Sequence, residues 1–454
     1  MSMSTTNYEE VAMVTTNIKD TAGTKTSQPH SSMAKAVLAG SIGNALEWFD
    51  YGIYGYFASI ISSEFFASKD SITALMLSFI VFGVGFVMRP IGGLIFGHYA
   101  DKVGRRASLT WTIVLMGIST FLVGCIPSYL TIGIWAPIFL TLCRLLQGIS
   151  TGGEWGSCMS FLAEYATPYN RGYIVSWSEF SIAVGLLIGS ALGTGLSFAM
   201  SPEELASWGW RIAFWSGILI SMFGLYTREH VDETPEFKLA KYSNVIHNTP
   251  LKEVLCHYKK ETFLSFSVVI GWTISYWLVM AYMPTYISKI LKFPLTLGFS
   301  LNTLLIVVFM IAVPFGGILA DKIGRRPVIM YSSLSFVVLS YPLFYLLSTT
   351  KSAVVLMGVL LVFAILEAML CGGATVYMTE IFPTTIRCSA IAIGYNIAVA
   401  CFGGTAPFIS TWLVAATGST LSPTYYLIAG TAVTFFVTLF IGPETYKKPL
   451  KVTK

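Results

Sequence analysis

Twelve apolar runs dominate this chain, each close to or above the roughly 20 residues that an α-helix needs to cross a bilayer. They lie at about 36–63, 72–99, 107–126, 133–163, 172–199, 209–228, 262–288, 298–320, 328–348, 352–379, 389–416 and 422–442. Runs of this kind are either buried core helices or membrane spans, and composition decides between them. Only 11% of the 454 residues are charged and 54% are hydrophobic, against roughly 25% charged in a soluble globular protein. Soluble domains of this total length could not cover their surfaces with so few charges. A soluble enzyme, a secreted disulfide scaffold and a disordered chain are excluded. The seven cysteines form no CxxC pair, so neither a disulfide framework nor a zinc site is expected. The expected fold class is an all-α membrane protein with twelve transmembrane helices.

The polar stretches divide the chain. Residues 1–33 are rich in Ser and Thr and lack the apolar core of a secretory signal, so a disordered cytoplasmic tail is expected. Residues 229–261 form the one sizeable polar connection, separating a six-span half (34–228) from a second (262–442), with a short cytoplasmic tail at 443–454. With the amino terminus inside, 21 of the 28 Lys and Arg fall on the cytoplasmic side, and only Lys69, Arg211, Lys289, Lys292 and Lys351 fall outside. The positive-inside rule therefore puts both termini in the cytoplasm, as in a multi-pass inner-membrane protein. The net charge of +5 is explained by these loops without nucleic-acid binding.

The two halves share a motif. Gly97, Asp101, Gly104, Arg105 and Arg106 recur at the same spacing as Gly317, Asp321, Gly324, Arg325 and Arg326. Glu164 and Arg171 recur as Glu380 and Arg387, again seven apart. Two pseudo-symmetric six-helix bundles follow, an arrangement typical of secondary transporters with a site near the midplane between repeats. Each motif falls at a cytoplasmic span junction. The first glycine allows close helix approach. The aspartate suits the amide end of a neighbouring helix or an arginine. The second glycine permits a turn. Arg105 and Arg106 are expected at the headgroups, within reach of Glu164. A positively charged turn explains one copy; two copies read as a conformational latch.

These features resemble the major facilitator superfamily. Within it, Gly43-Asn44-Ala45-Leu46-Glu47-Trp48-Phe49-Asp50-Tyr51-Gly52, Arg89-Pro90-Ile91-Gly92-Gly93, Gly152-Gly153-Glu154 and Glu233-Thr234-Pro235-Glu236-Phe237 resemble metabolite:proton symporters. Tyr282-Met283-Pro284-Thr285-Tyr286 and Glu444-Thr445-Tyr446-Lys447-Lys448 look like the proline/betaine branch. The resemblance spans about residues 36 to 450 and implies twelve helices and proton-coupled import. Two departures are visible. Glu367 stands where that branch is usually uncharged, and the chain ends about a dozen residues after its last span, without the long coiled coil of osmosensing members. Transport is thus implied more strongly than osmotic sensing.

Charges inside the spans need a reason, because one at the bilayer centre costs about 2.5–3.5 kcal/mol on insertion scales. Asn44, Glu47, Tyr51 and Tyr54 share one face of span 1, with Asp50 beside them, and this polar stripe is expected to face the cavity. Glu47, Asp50, Glu154, Glu179 and Glu367 are the candidates for proton coupling; fixed pairing with an arginine, or a sodium site, is the other use of such acids. Arg89 and Arg144 are candidates for a substrate carboxylate, since the guanidinium fork suits it bidentately. Structural pairing, or for Arg144 gating, is the alternative. Trp48, Tyr51 and Tyr54 of span 1, Trp155 of span 4 and Trp272 and Tyr276 of span 7 are candidate substrate aromatics, which attract quaternary ammonium but also serve in packing. No phosphate loop, zinc-protease motif or nucleophile elbow is present.

The expected protein is a proton-coupled symporter for proline or glycine betaine, working by alternating access. The runner-up is a proton symporter for a di- or tricarboxylate such as 2-oxoglutarate or citrate, in which Arg89 and Arg144 both bind substrate. A receptor on the same fold would carry an appended soluble domain, which is not seen, and a drug exporter fits the motifs of spans 1 and 4 poorly. The expected partners are the solute, protons and the lipid bilayer, for a monomer with no cofactor, metal or nucleic acid.

Overall fold

The computed structural model describes residues 30–66, 71–242 and 250–451. Among these residues there is no strand, and twelve long helices follow one another. In the first half they are α1 His30–Tyr56, α2 Ser71–Lys102, α3 Arg105–Cys125, α4 Trp135–Tyr165, α5 Arg171–Ala199 and α6 Trp210–Glu229. In the second half they are α7 Lys259–Ile290, α8 Leu295–Ile323, α9 Arg325–Thr349, α10 Ala353–Glu380, α11 Thr384–Thr417 and α12 Ser422–Phe440. Nine of them, among the described residues, are long and apolar enough to cross a membrane. The other three are α1, α4 and α6. Their hydropathy is lowered by the polar and charged residues they carry inward, Asn44, Glu47 and Asp50 on α1, Arg144 and Glu154 on α4, and Arg228 on α6, all buried.

Packing follows the repeat. In the first half α1 packs on α5 and α2 on α4; in the second, α7 packs on α11 and α8 on α10. The halves meet along two equivalent seams, α2 against α11 and α5 against α8. Small residues make these crossings possible. A Cβ at Gly152 would collide with the Arg89 carbonyl oxygen across the α2–α4 crossing, and Gly372 presses equally on Gly316 across α8–α10. Close backbone approach of this kind is how membrane helices associate without a hydrophobic driving force.

Two of the long helices are irregular where they pass the molecular centre. In α7 the segment Trp277–Tyr282 is π-helical, just before Pro284, which has no N–H to continue the ladder; in α11 the segment Val399–Gly403 is π-helical.

Several expected boundaries are corrected. Helix α1 begins at His30, inside the segment 1–33 expected as a tail; residues 1–29 lie outside the described residues, as does Lys69. The connection 229–261 is partly helical. It contains the helices Pro235–Tyr242 and Pro250–His257, and α7 starts at Lys259. The tail after α12 is docked through residue 451. Thr384 donates its backbone N–H to the Lys451 carbonyl at 2.8 Å, and Arg171 donates to the Lys448 carbonyl at 3.3 Å.

The α2–α4 crossing carries a direct expectation. Gly152→Ala should destabilise the protein by about 1–3 kcal/mol, the usual cost of overpacking, read as a lower unfolding temperature in detergent. Gly358→Ala, where a new Cβ meets nothing within 4 Å, should not. Equal melting of the two variants would contradict the close approach.

Candidate functional site

The candidate site is built from four helices of one half and two of the other. Trp48 of α1 lies 5.5 Å from Tyr276 and 5.7 Å from Trp277 of α7, so the repeat-related helices bring their aromatics together across the bundle interface. Trp155 of α4 stacks face to face on Tyr395 of α11 at 3.6 Å, with Trp272 5.7 Å from both. Arg89 of α2 lies 5.8 Å from the Tyr395 ring and donates to Glu47 at 3.0 Å. Glu179 of α5 completes the wall and accepts a long hydrogen bond, 3.4 Å, from the Trp155 indole. Trp48, Arg89, Glu179, Trp272, Tyr276, Trp277 and Tyr395 line a cavity of about 20 Å³. That is room for about one water, against roughly 300–1,000 Å³ for a small-molecule pocket. The walls of this cavity are closed on one another.

Three of the five membrane acids face an arginine. Glu47 faces Arg89. Asp50 is bonded by Arg144 and also accepts from Gln147 at 2.9 Å and Thr120 at 3.0 Å. Glu154 is bonded by Arg228 at 2.5 Å and by the Thr112 hydroxyl. Sequence reasoning placed Arg228 in the cytoplasmic group; it is buried and reaches into the bundle, where its guanidinium also donates to the carbonyls of Ala39 (at 2.9 Å) and Leu109. Among the described residues no arginine or lysine bonds Glu179 or Glu367. Glu367 accepts from the Cys371 thiol at 3.4 Å, and that sulfur accepts from the Trp272 indole at 2.7 Å. One Glu367 oxygen has no hydrogen-bond partner.

Some candidates are not brought to the cavity. Asp50 and Arg144 form a separate cluster inside the first bundle, with the Arg144 guanidinium 4.0 Å from the Tyr54 ring and the Tyr54 hydroxyl bonded to Ser78. Asn44 donates to the Cys158 sulfur. Tyr51 sits behind Arg89, 3.5 Å from it, and stacks on Phe86. The span-1 stripe therefore divides between the cavity wall and the bundle interior, which corrects the expectation that all of it faces the cavity. A carboxylate-binding pair of Arg89 and Arg144, as the dicarboxylate reading requires, is not assembled. The site residues that sequence reasoning missed are Trp277, Tyr395 and Arg228. Trp277 was visible as one more aromatic on span 7; Tyr395 and Arg228 carry no sequence signal.

The repeated motifs meet at one end of the molecule and tie the bundles together twice. Asp101 accepts the backbone N–H groups of Cys388 at 3.1 Å and Ser389 at 2.8 Å, at the start of the regular part of α11. Asp321 accepts those of Gly172 at 2.9 Å and Tyr173 at 2.8 Å, at the start of α5. A carboxylate at a helix N-terminus satisfies open amides and meets the positive end of the dipole. Glu164 is gripped by Arg105 at 3.1 Å from its own half and by Arg387 from the other. Glu380 is gripped by Arg325 at 3.0 Å and by Arg171 at 2.6 Å. Gly104 and Gly324 hold the motif turns with φ of 139° and 107°, a region that L side chains avoid. Arg105 is fully buried rather than at the headgroups. Arg106 turns outward, its side chain on the Glu229 carbonyl and its amide on Glu233.

A further pair escaped the sequence reading. Glu233 caps α3 and Thr234 donates to Glu164 at 2.5 Å; Glu444 caps α9 and Thr445 donates to Glu380 at 2.6 Å. The Glu-Thr dipeptide is repeated at 233–234 and 444–445, a signal that was legible in the sequence.

Known proteins now place the chain. The family model described as sugar (and other) transporter matches it twice, over residues 36–249 and 240–453. The chain belongs to this family. It is 36% identical over 428 residues to the "Proline/betaine transporter" of Escherichia coli strain K12, covering 92% of this chain and 85% of that one. It is 33% identical over 428 residues, with the same coverage, to the "Glycine betaine/proline/ectoine/pipecolic acid transporter OusA" of Dickeya dadantii. Relatives of this family are transporters, and this chain is a transporter rather than an enzyme. Among solved structures it matches the major facilitator superfamily proton:xylose symporter XylE bound to 6-bromo-6-deoxy-D-glucose, with TM-score 0.78 and 22% identity over 93% of this chain and 98% of that one. The fold is thus that of the major facilitator superfamily. The inward-open conformation of the E. coli xylose transporter fits less well, with TM-score 0.63 and 22% identity over 92% of this chain and 98% of that one.

Two outcomes follow from the charge network. Glu154→Gln alone leaves the Arg228 guanidinium buried without its anion and should cost about 3–5 kcal/mol, with much of the loss recovered in Glu154→Gln/Arg228→Met; a double-mutant cycle of unfolding free energies checks this. Glu236, on the connecting helix Pro235–Tyr242, is pushed up from 4.5 to about 7, chiefly by burial and then by Glu164, with Arg387 and Arg171 opposing. Between those values the folded protein holds a proton that the unfolded chain has lost, so stability falls as pH rises through that window, by on the order of 3 kcal/mol. Glu236→Gln should flatten the curve of unfolding temperature against pH there, and an unchanged slope would contradict the assignment.

Proposed function

We propose that the protein imports a small zwitterion, proline or glycine betaine, together with protons, by alternating access. The observation that carries this reading is the chemistry of the central cavity. Its lining offers a guanidinium, Arg89, aromatic faces and an acid, Glu179, that has no cationic partner among the described residues. A solute with a carboxylate at one end and a cationic nitrogen at the other matches both. The names of the relatives quoted above support the same class. In this reading Arg89 exchanges Glu47 for the substrate carboxylate, while Trp48, Trp272, Tyr276 and Tyr395 take the cationic end. Trp155, stacked on Tyr395, must shift to admit it.

Glu179 is the proposed proton carrier. A buried carboxyl group with no cation beside it is tolerated as the neutral acid, so it loads a proton before closure and releases it once water reaches the site. One proton moving down 100 mV supplies ~2.3 kcal/mol, which supports roughly fifty-fold accumulation. A second reading places the proton on Asp50. The Nε and Nη2 of Arg144 have no hydrogen-bond partner, so this pair is under-satisfied, and protonating Asp50 would release the arginine.

The motif face is proposed to lie in the cytoplasm, with both termini, in an inner membrane, and the protein to work as a monomer of two bundles joined near residues 229–261. The two motif networks act as the latch that closes the inner side, since each crosses between bundles and must part for release.

Uptake into proteoliposomes under an inward proton gradient tests the reading, with labelled proline, glycine betaine and 2-oxoglutarate and a protonophore control. Proline or betaine should accumulate and 2-oxoglutarate should not. Arg89→Lys should raise the half-saturating concentration about tenfold, the loss of one good hydrogen bond. Glu179→Gln should lose gradient-driven accumulation while keeping counterflow exchange. If it accumulates normally and Asp50→Asn does not, the second reading replaces the first. Accumulation of 2-oxoglutarate alone would overturn both substrates.

A further inference from the structure

A second cavity lies away from the candidate site. It is an open pocket of about 970 Å³ on the outer side of the first bundle, between α3 and the helix Pro235–Tyr242. Its α3 wall is Ala107, Thr110 and Trp111, residues that fall on one helical face, with Val103 added from the turn before the helix, and Trp111 is 58% exposed. Its rim carries three cations, Arg106, Lys238 and Lys241. The acids beside them leave that charge largely uncompensated. Glu233 spends its oxygens on the backbone N–H groups of Arg106, at 3.1 Å, and Thr234, at 2.9 Å. Asp232 is 3.7 Å from Lys238, and both are well exposed, so that pair contributes little. Among the described residues Lys241 forms no ion pair.

Position adds the second argument. Helix α3 is a membrane-crossing helix that starts at Arg105. Arg106 therefore stands at the membrane boundary, and Trp111 lies about 7.5 Å deeper along the helix. The pocket has its cations at headgroup depth and its apolar wall, with an exposed tryptophan, below them.

We propose that this pocket is a binding site for an anionic phospholipid, whose phosphate sits among Arg106, Lys238 and Lys241 and whose acyl chains run along the Trp111 face. Basic pockets beside membrane helices bind such headgroups through the same combination of charge and apolar contact. The leaflet is the cytoplasmic one if the orientation proposed above holds; the binding itself does not depend on it. Bound lipid would span α3 and the connecting helix, the two elements joined by Glu233, next to the Glu164 network.

Native mass spectrometry of the full-length protein, titrated with phosphatidylglycerol, phosphatidylcholine or inorganic phosphate, tests the site. The wild type should retain phosphatidylglycerol in preference to phosphatidylcholine, and inorganic phosphate should not displace it at equal concentration. Lys238→Gln/Lys241→Gln should weaken phosphatidylglycerol binding by roughly tenfold or more, given the attraction expected of each cation, with counterflow exchange and unfolding temperature unchanged. If the double variant does not fold, the two single variants, each at an exposed position, should each weaken binding by roughly fivefold. Equal retention of both lipids, absence of phosphatidylglycerol from the wild type, or indifference to the substitutions would overturn the proposal. Displacement by phosphate alone would make it a free-phosphate site and overturn the lipid.

Discussion

A charge inside a bilayer must be paired, protonated or exposed to water, and the interior of this protein is arranged around that requirement. Glu47, Asp50 and Glu154 each meet a guanidinium supplied by a different helix. These pairs are not bonuses added to an apolar core. Each fixes the rotation of two helices, because turning either one would strand a charge in low dielectric. Helices α1, α4 and α6 carry most of these groups, and they are the three whose hydropathy falls short of a membrane span. Their stability as membrane helices depends on the partners that the fold supplies.

Against that background the two acids without arginines stand out. Glu179 borders the cavity between the bundles, and Glu367 is wired to the same place through Cys371 and Trp272. The first bundle contributes the only arginine on the cavity wall among the described residues, Arg89. The second contributes mainly aromatic surface. The π-helical segments of α7 and α11 begin at Trp277 and Val399, both of which line the cavity. Local departures from α-helical geometry thus coincide with the cavity wall.

The closed end and the closed cavity belong to one conformation. Asp101 and Asp321 each reach across a seam to the start of a helix in the other half, and Glu164 and Glu380 are each held by one arginine from either half. Every one of these contacts is repeated by pseudo-symmetry. Parting the bundles at this end would break both sets together.

Much of this was legible from residues alone. The run lengths and low charge required a helical membrane protein, and the doubled Gly-x-x-x-Asp-Lys-x-Gly-Arg-Arg pattern required two related halves. Trp48, Trp272, Tyr276 and Arg89 could be named as site candidates because buried polar and aromatic groups in apolar helices need a purpose. What the sequence could not supply was pairing. Arg228 looks like an ordinary basic residue at a helix end, and only packing turns it inward to Glu154. Arg89 and Arg144 look equivalent, yet tertiary structure puts one on the cavity wall and locks the other to Asp50. Tyr395 acquires its role only by stacking on Trp155 across the interface. The reason is physical. Periodicity and hydropathy are properties of one helix and its solvent, so a single chain segment reveals them. Which charge meets which is set by the relative rotation of helices far apart in sequence, and that is decided only when the bundles pack.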